Sequence, residues 1–371
     1  MTTSVSELCQ ALVRIPSVNP FGDPGVENPG EQQCAEYVAA FLQDSGAVVE
    51  IREVKPGRPN VIGKFPTDRP GKPLVIFAPH LDTVSVVGMT IPPFSGEISE
   101  GKVWGRGATD TKGPMSSMLW ALREGAAGIV TCGHEVWFVG LMGEETGQEG
   151  AWAFVNESIA SGEVDPVRTF ALVGEPTGLE TVHTTKGACW ISAVTGGKAV
   201  HASAPERGVN AIYAMADLVR VVRDELVPAL SKLHHPQLGS PTISVGTIRG
   251  GTKTNIVPDS CRAEIDMRTI PGQDTAPVLE TLRRAVPGVT LEIWQSKPLW
   301  TEPDHPLIAK LGAPLAGAPW FCDAAILAGG GIASVATGPG SIKQAHTVDE
   351  WISVADLEAG ARFFRQFLDR L

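Results

Sequence analysis

Three short apolar stretches constrain this chain more than any other feature, because each runs directly into residues that bind protons or cations. "KPLVIFAPH" ends in His80, "HEVWFVGLM" leads to Glu144 and Glu145 in "GEE", and "TFALVGEP" closes on Glu175. Short apolar runs bounded by turn signals read as fully buried strands. The stretches "GPMSSMLWALREG" and "AWAFVNESIA" between them carry helical spacing. That alternation predicts an α/β layer with a mixed, largely parallel sheet flanked by helices. In such layers the loops beyond the carboxyl ends of the strands gather the chemistry.

The texture changes near Gly178. "KGACWISAVTGG", "TISVGTIRGG" and "CRAEIDMRTI" alternate like strands with one wet face, and long amphipathic helical patterns separate them. After about Leu291 the chain returns to Gly-rich turns, the strand-like "ASVATGPG" and a last helix, "VADLEAGARFFRQFLDRL". The expected organisation is a catalytic domain over 1–177 and 292–371, interrupted by a smaller α+β domain over 178–291. With 371 residues, two hydrophobic cores are the natural expectation.

Charge and cysteine usage narrow the partners. The formal net charge is −11, which disfavours nucleic acid and anionic membrane surfaces. No stretch approaches the roughly 20 apolar residues of a membrane span. The opening "MTTSVSELCQALVRIPS" reads as an amphipathic helix starting near Ser4 or Ser6, not as a secretory leader. Six cysteines are scattered without a C-x-x-C pair, which suits a reducing compartment. The expected location is the cytoplasm.

Two further stretches place ligand-type residues in Gly-rich or polar turns: "GRGATDTKG" with Asp110 and "SIKQAHTVDE" with His346. Each residue taken singly has a plainer reading. A histidine after a strand is usually a hydrogen-bonded structural residue, Asp82 in "PHLDTV" could cap a turn, and acidic doublets are usually solvated. Taken together, two imidazoles and several carboxylates without a thiolate form a donor set for a zinc-like ion.

The ordered stretches "PHLDTV", "GRGATDTKG", "GEETGQEG", "VGEPT" and "QAHTVDE" resemble the motif set of the M20 family of dinuclear zinc amidohydrolases. That family includes acetylornithine deacetylase, succinyl-diaminopimelate desuccinylase, aminoacylase and several peptidases. The resemblance implies two divalent cations, zinc or alternatively cobalt or manganese. His80, Asp110 and Glu175 would hold one and Asp110, Glu145 and His346 the other, with Asp110 bridging. It also implies that Asp82 accepts the second ring proton of His80. Glu144 becomes the general base toward a water held between the ions. If the doublet lies in an extended segment, its two side chains point to opposite sides, which would separate the two roles.

In the inserted segment, His201 in "GKAVHASAPERG" matches the family histidine that reaches the partner subunit's site and stabilises the oxyanion, which implies a homodimer. The plainer reading is a surface histidine near a turn. Asn255 in "KTNIVPD" and Arg268 in "EIDMRTI" match substrate-contacting positions, and arginine can grip a carboxylate with two parallel hydrogen bonds. The inserted domain is expected to be ferredoxin-like and to serve as lid and dimerisation unit.

The expected activity is metal-dependent hydrolysis of the amide of an N-acyl amino acid. Glu175 at the third strand end, where peptidase branches more often carry Asp, tilts the resemblance toward the deacylases. The alternatives are a dipeptidase or carboxypeptidase on the same scaffold, or a non-catalytic metal-dependent binding protein. The resemblance further implies a cis peptide after Asp110.

Overall fold

The computed structural model describes residues 2–20 and 30–371. The chain forms two units: Met1–His183 with Thr301–Ala316 and Cys322–Leu371, and Thr184–Trp300 with Gly317–Phe321. Among the described residues, no helix is long and apolar enough to cross a membrane.

The first unit is built on an eight-stranded sheet. At its centre Glu135–Gly140, Leu74–Pro79, Thr169–Gly174 and Ala333–Thr337 lie side by side, all parallel. Arg58–Lys64 and then Val48–Lys55 extend one edge antiparallel. Every residue of Leu74–Pro79 and Thr169–Gly174 is buried, which explains why these strands read as unbroken apolar runs. Strands covered on both faces gain nothing from alternation.

Helices supply that cover. Lys112–Ile129 packs against Val354–Asp369. The second of these buries Leu357, Gly360, Ala361, Phe364, Phe367 and Leu368, a stripe at three- and four-residue spacing. Phe364 and Phe367 meet Phe77 of the central strand edge-on, at 5.9 and 6.2 Å between ring centres. The expected amino-terminal helix is Val5–Val13, and its Ser4 cap accepts the Glu7 N–H. The helix Gln32–Asp44 ends just before Gly46, whose φ of +91° a side chain would resist.

The second unit is a four-stranded antiparallel sheet in the order Thr242–Gly250, Ser260–Thr269, Gly187–Gly196, Thr290–Ser296. In chain order it runs strand, helix, two strands, helix, strand, the ferredoxin-like split βαβ pattern. Its core joins Ile191, Ala193, Met215, Leu218, Ile265, Met267 and Leu282. The strand Ser260–Thr269 alternates buried and wetter positions along its length, as a sheet with one covered face should. The fold class is therefore the expected one in both units.

Candidate metal centre

Parallel pairing delivers the first donors. Glu135–Gly140, Leu74–Pro79 and Thr169–Gly174 are adjacent and point the same way, so their carboxyl ends share one edge of the sheet. His80 follows the middle strand directly and Glu175 follows the third. Glu144 and Glu145 follow the first after Leu141–Gly143. Asp110 arrives differently, in the turn that enters the helix Lys112–Ile129. His346 sits in a loop with a left-handed backbone, φ +62°, a region that histidine tolerates better than most side chains.

The structure brings six of the expected residues together. Donor atoms of His80, Asp110 and Glu175 lie within 4.8 Å of one another, as do those of Asp110, Glu145 and His346. A third such group is His80, Glu144 and Glu145. Asp110 faces both imidazoles: Oδ1 is 3.1 Å from His80 Nε2 and Oδ2 is 3.3 Å from His346 Nε2. His346 Nε2 also meets Glu145 Oε1 at 3.2 Å. The peptide between Asp110 and Thr111 is cis, as the resemblance implied.

The cluster crowds several carboxylates together and could hold a cation. Burial raises the Glu175 carboxyl well above its usual range, and the Asp110 charge adds to the effect. Its buried Oε1 has no hydrogen-bond partner, an orphan that calls for an explanation. Enclosure also raises Glu144 well above normal; His80 opposes this, while Glu175 and Glu145 reinforce it. Burial pulls the His80 imidazole down, but Asp110 and Asp82 outweigh it and hold its pKa well above 6.5. Hydrogen bonds to Asp110 and Glu145 lift His346 to about 10. Oxygen and nitrogen donors on a crowded acidic cluster fit divalent ions of the zinc kind.

Asp82 sits against His80 Nδ1 and also holds the acidic doublet. His80 Nδ1 lies 3.0 Å from the backbone carbonyl of Asp82 and 3.4 Å from its Oδ1. The carboxylate makes its shorter bonds elsewhere: Oδ1 accepts the Glu144 N–H at 3.0 Å, and Oδ2 accepts the Glu145 N–H at 3.1 Å. Asn19 Nδ2 donates to Oδ2 at 2.8 Å. The acidic doublet also lies in a turn, not in the extended segment that the sequence argument assumed. Its two side chains are set by these bonds to the backbone and not by strand alternation.

Glu350 does for Asp110 what Asp82 does for the doublet. It is fully buried; Oε1 accepts the N–H groups of Thr109 and Asp110 at 2.9 and 3.0 Å. Oε2 takes Arg106 Nη1 at 2.7 Å and the Gly107 N–H at 3.1 Å. Sequence reasoning missed this residue, although it stands four positions after His346. It also missed Asp323, fully buried beside the cluster, whose carboxyl burial raises to about 8.

The remaining expected residues lie in the second unit. His201 is exposed, with Nδ1 2.7 Å from Ser203 Oγ. The next residue, Ala202, donates its N–H to the Asn255 carbonyl at 3.0 Å, so these two loops are paired. Arg268 Nε donates to Asp266 Oδ1 at 3.0 Å on the wetter face of its strand.

Fold and donor set together define a metal-dependent hydrolase with its chemistry at the carboxyl edge of a parallel sheet. Residues 76–370 match the model of Peptidase family M20/M25/M40, and the chain belongs to that family. It is 30% identical to an acetylornithine deacetylase of Proteus mirabilis (strain HI4320), with 98% of this chain and 95% of that relative covered. A probable succinyl-diaminopimelate desuccinylase of Staphylococcus epidermidis is 27% identical over 77% of this chain and 76% of its own. Among solved structures, the M20 family metallo-carboxypeptidase Sso-CP2 of Sulfolobus solfataricus superposes with a TM-score of 0.77. That pair is 18% identical, with 99% of each chain covered. The protein is an M20 metal-dependent hydrolase of the peptidase and deacylase kind.

Proposed function

We propose that this enzyme removes the acyl group from an N-acyl amino acid, with Glu144 as general base. The deacylase names of the curated relatives support the substrate class. The observation that carries the reading is the contrast between Glu144 and its neighbours. Glu145 and Asp110 are engaged by His346 and His80, whereas among the described residues the Glu144 carboxylate receives only a long 3.4 Å contact from Gln148. Its carboxylate lies within 4.8 Å of donor atoms of His80 and Glu145, close enough to meet a water held at the cluster.

His80, Asp110 and Glu175 would hold one cation, and Asp110, Glu145 and His346 a second; zinc fits this donor set. Such ions, when bound, supply an acidified water and polarise the amide carbonyl. Glu144 takes the proton of the attacking water on its carboxylate and delivers it to the departing nitrogen. Asp82 keeps the Glu144 and Glu145 backbone fixed while this happens. We assign His201 to the oxyanion across a homodimer, Asn255 to substrate contact and Arg268 to the carboxylate of the amino acid. The six cysteines are all unpaired thiols, which supports a cytoplasmic location.

The test is a panel of N-acetyl, N-succinyl and N-formyl amino acids against dipeptides, using protein reconstituted with zinc, cobalt or manganese. Turnover of the acyl amino acids with dipeptides inert is the expected result. The reverse preference would move the protein to the peptidase branch.

A further inference from the structure

We propose that Glu31 and Asn60 are positioning residues that set Glu144 and Glu145 by gripping the peptide groups just ahead of them. The inference rests on the reading of Glu145 as a ligand and Glu144 as the base. Its basis is a row of four consecutive backbone donors. The Met142 N–H is accepted by Asn60 Oδ1 at 3.0 Å and the Gly143 N–H by Glu31 Oε1 at 3.1 Å. The N–H groups of Glu144 and Glu145 are accepted by the two oxygens of Asp82 at 3.0 and 3.1 Å.

Residues 142–145 lie outside every helix and strand. Their N–H groups therefore have no ladder to satisfy them, and a buried N–H without a partner is costly. Three side chains from distant parts of the chain take the place of that ladder. A turn held at every donor cannot rotate its peptides, so the directions of the two glutamate side chains are fixed before any ligand arrives.

Glu31 and Asn60 are themselves held firmly. Arg58 grips Glu31 with two parallel bonds, Nε to Oε2 at 2.7 Å and Nη2 to Oε1 at 2.6 Å. Both partners are buried, Glu31 fully. Asn60 Nδ2 donates to the Gly150 carbonyl at 2.8 Å, so the same side chain ties both ends of the segment 142–150. Arg58 and Asn60 lie on the strand Arg58–Lys64, which pairs with Glu135–Gly140, the strand that feeds the turn. The grip is thus built into the sheet. Neither Glu31 nor Asn60 is among the clustered donors, and both touch the doublet's segment through its backbone.

The experiment compares Asn60→Ala and Glu31→Ala with Glu31→Gln, which keeps an acceptor for the Gly143 N–H. Three readouts are taken on the metal-loaded protein: amide exchange at 142–145, retention of Zn2+ or Co2+ against a chromophoric chelator, and kcat and KM separately. Both alanine variants should exchange faster at this turn and lose metal about 10- to 100-fold more easily, the usual range for residues that orient ligands. Their kcat should fall by a similar factor while KM stays within about twofold. Glu31→Gln should recover part of each loss. Alanine variants that exchange faster at 142–145 but hold metal and turn over like wild type would overturn the proposal. So would losses in Glu31→Gln as large as those in Glu31→Ala. If either alanine variant fails to fold, Asn60→Ser and Glu31→Gln are read against wild type, with smaller losses in the same direction expected and no loss in either overturning the proposal. A wild-type protein that binds metal but cleaves no acyl amino acid would remove the substrate reading and leave the exchange and metal arms standing.

Discussion

The Asp82 carboxylate holds the Glu144 backbone: Oδ1 accepts its N–H at 3.0 Å, and the other oxygen takes the N–H of Glu145. The same residue presents its own carbonyl to His80 Nδ1. One residue therefore fixes three neighbours of the cluster. Asp82→Asn turns one oxygen into an N–H donor that faces another N–H, so the turn must shift. Activity should fall about 10- to 100-fold, with weaker metal retention. Turnover and metal content measured on the same preparation check this, and an unchanged metal content would show that Asp82 acts elsewhere.

Glu144→Ala separates binding from chemistry. Removing a general base typically costs about 10²- to 10⁴-fold in rate, whereas the donors of His80, Asp110, Glu145, Glu175 and His346 remain. Metal stoichiometry by atomic absorption should stay at the wild-type value while hydrolysis collapses. Full hydrolysis in that variant would remove the assigned base.

Metal loading should release protons. In protein stripped by a chelator, His346 with a pKa of about 10 carries a proton at pH 7, and Asp110 and Asp82 favour a proton on His80 against the pull of burial. A cation uses neutral imidazoles and ionised carboxylates, so binding should expel protons from His346 and His80 and from the raised carboxyl of Glu175. Each raised pKa disfavours metal below it, and apparent affinity should therefore climb as pH rises toward about 10. Titration calorimetry in buffers of different ionisation enthalpy reads the proton count. A count near zero would contradict the paired imidazoles.

Glu350→Ala leaves Arg106 buried without its carboxylate and strands the N–H groups of Gly107, Thr109 and Asp110. Breaking one side of a buried ion pair costs about 3–5 kcal/mol. Chemical denaturation should show a loss of that size, together with weaker metal binding through Asp110. A variant as stable as wild type would mean that the loop is held by other contacts.

Gly150→Ala should destabilise the protein although alanine is the better helix former. A Cβ at this position would lie 2.4 Å from the Met142 carbonyl oxygen and 2.6 Å from Asn60 Oδ1. The propensity gain is about 1 kcal/mol, and forced overpacking costs about 1–3 kcal/mol. The expected outcome is a lower unfolding midpoint with a larger loss of activity, because the displaced atoms belong to the turn that carries Glu144.

Much of this was legible in the chain itself. The apolar runs ending at Pro79, Gly140 and Gly174 are strands, and the donors that follow them meet because those strands are adjacent and parallel. The alternation argument for Glu144 and Glu145 does not hold, because the doublet lies in a turn and not in an extended segment. Glu31 and Asn60 carried no local signal. One precedes a helix and the other sits in a strand, and nothing within a few residues of either marks a tie to the doublet.

The sequence by itself determined the fold class and which strand ends carry His80, Glu144, Glu145 and Glu175, since residue identity and apolar periodicity are local properties. Only the tertiary structure decided which side chains hold the donors in place. Asp82 reaches Glu144 across 62 positions, Glu31 reaches Gly143 across 112, and Glu350 reaches Asp110 across 240. A hydrogen bond depends on the final position of both atoms, and over such separations that position is set by how strands and helices pack.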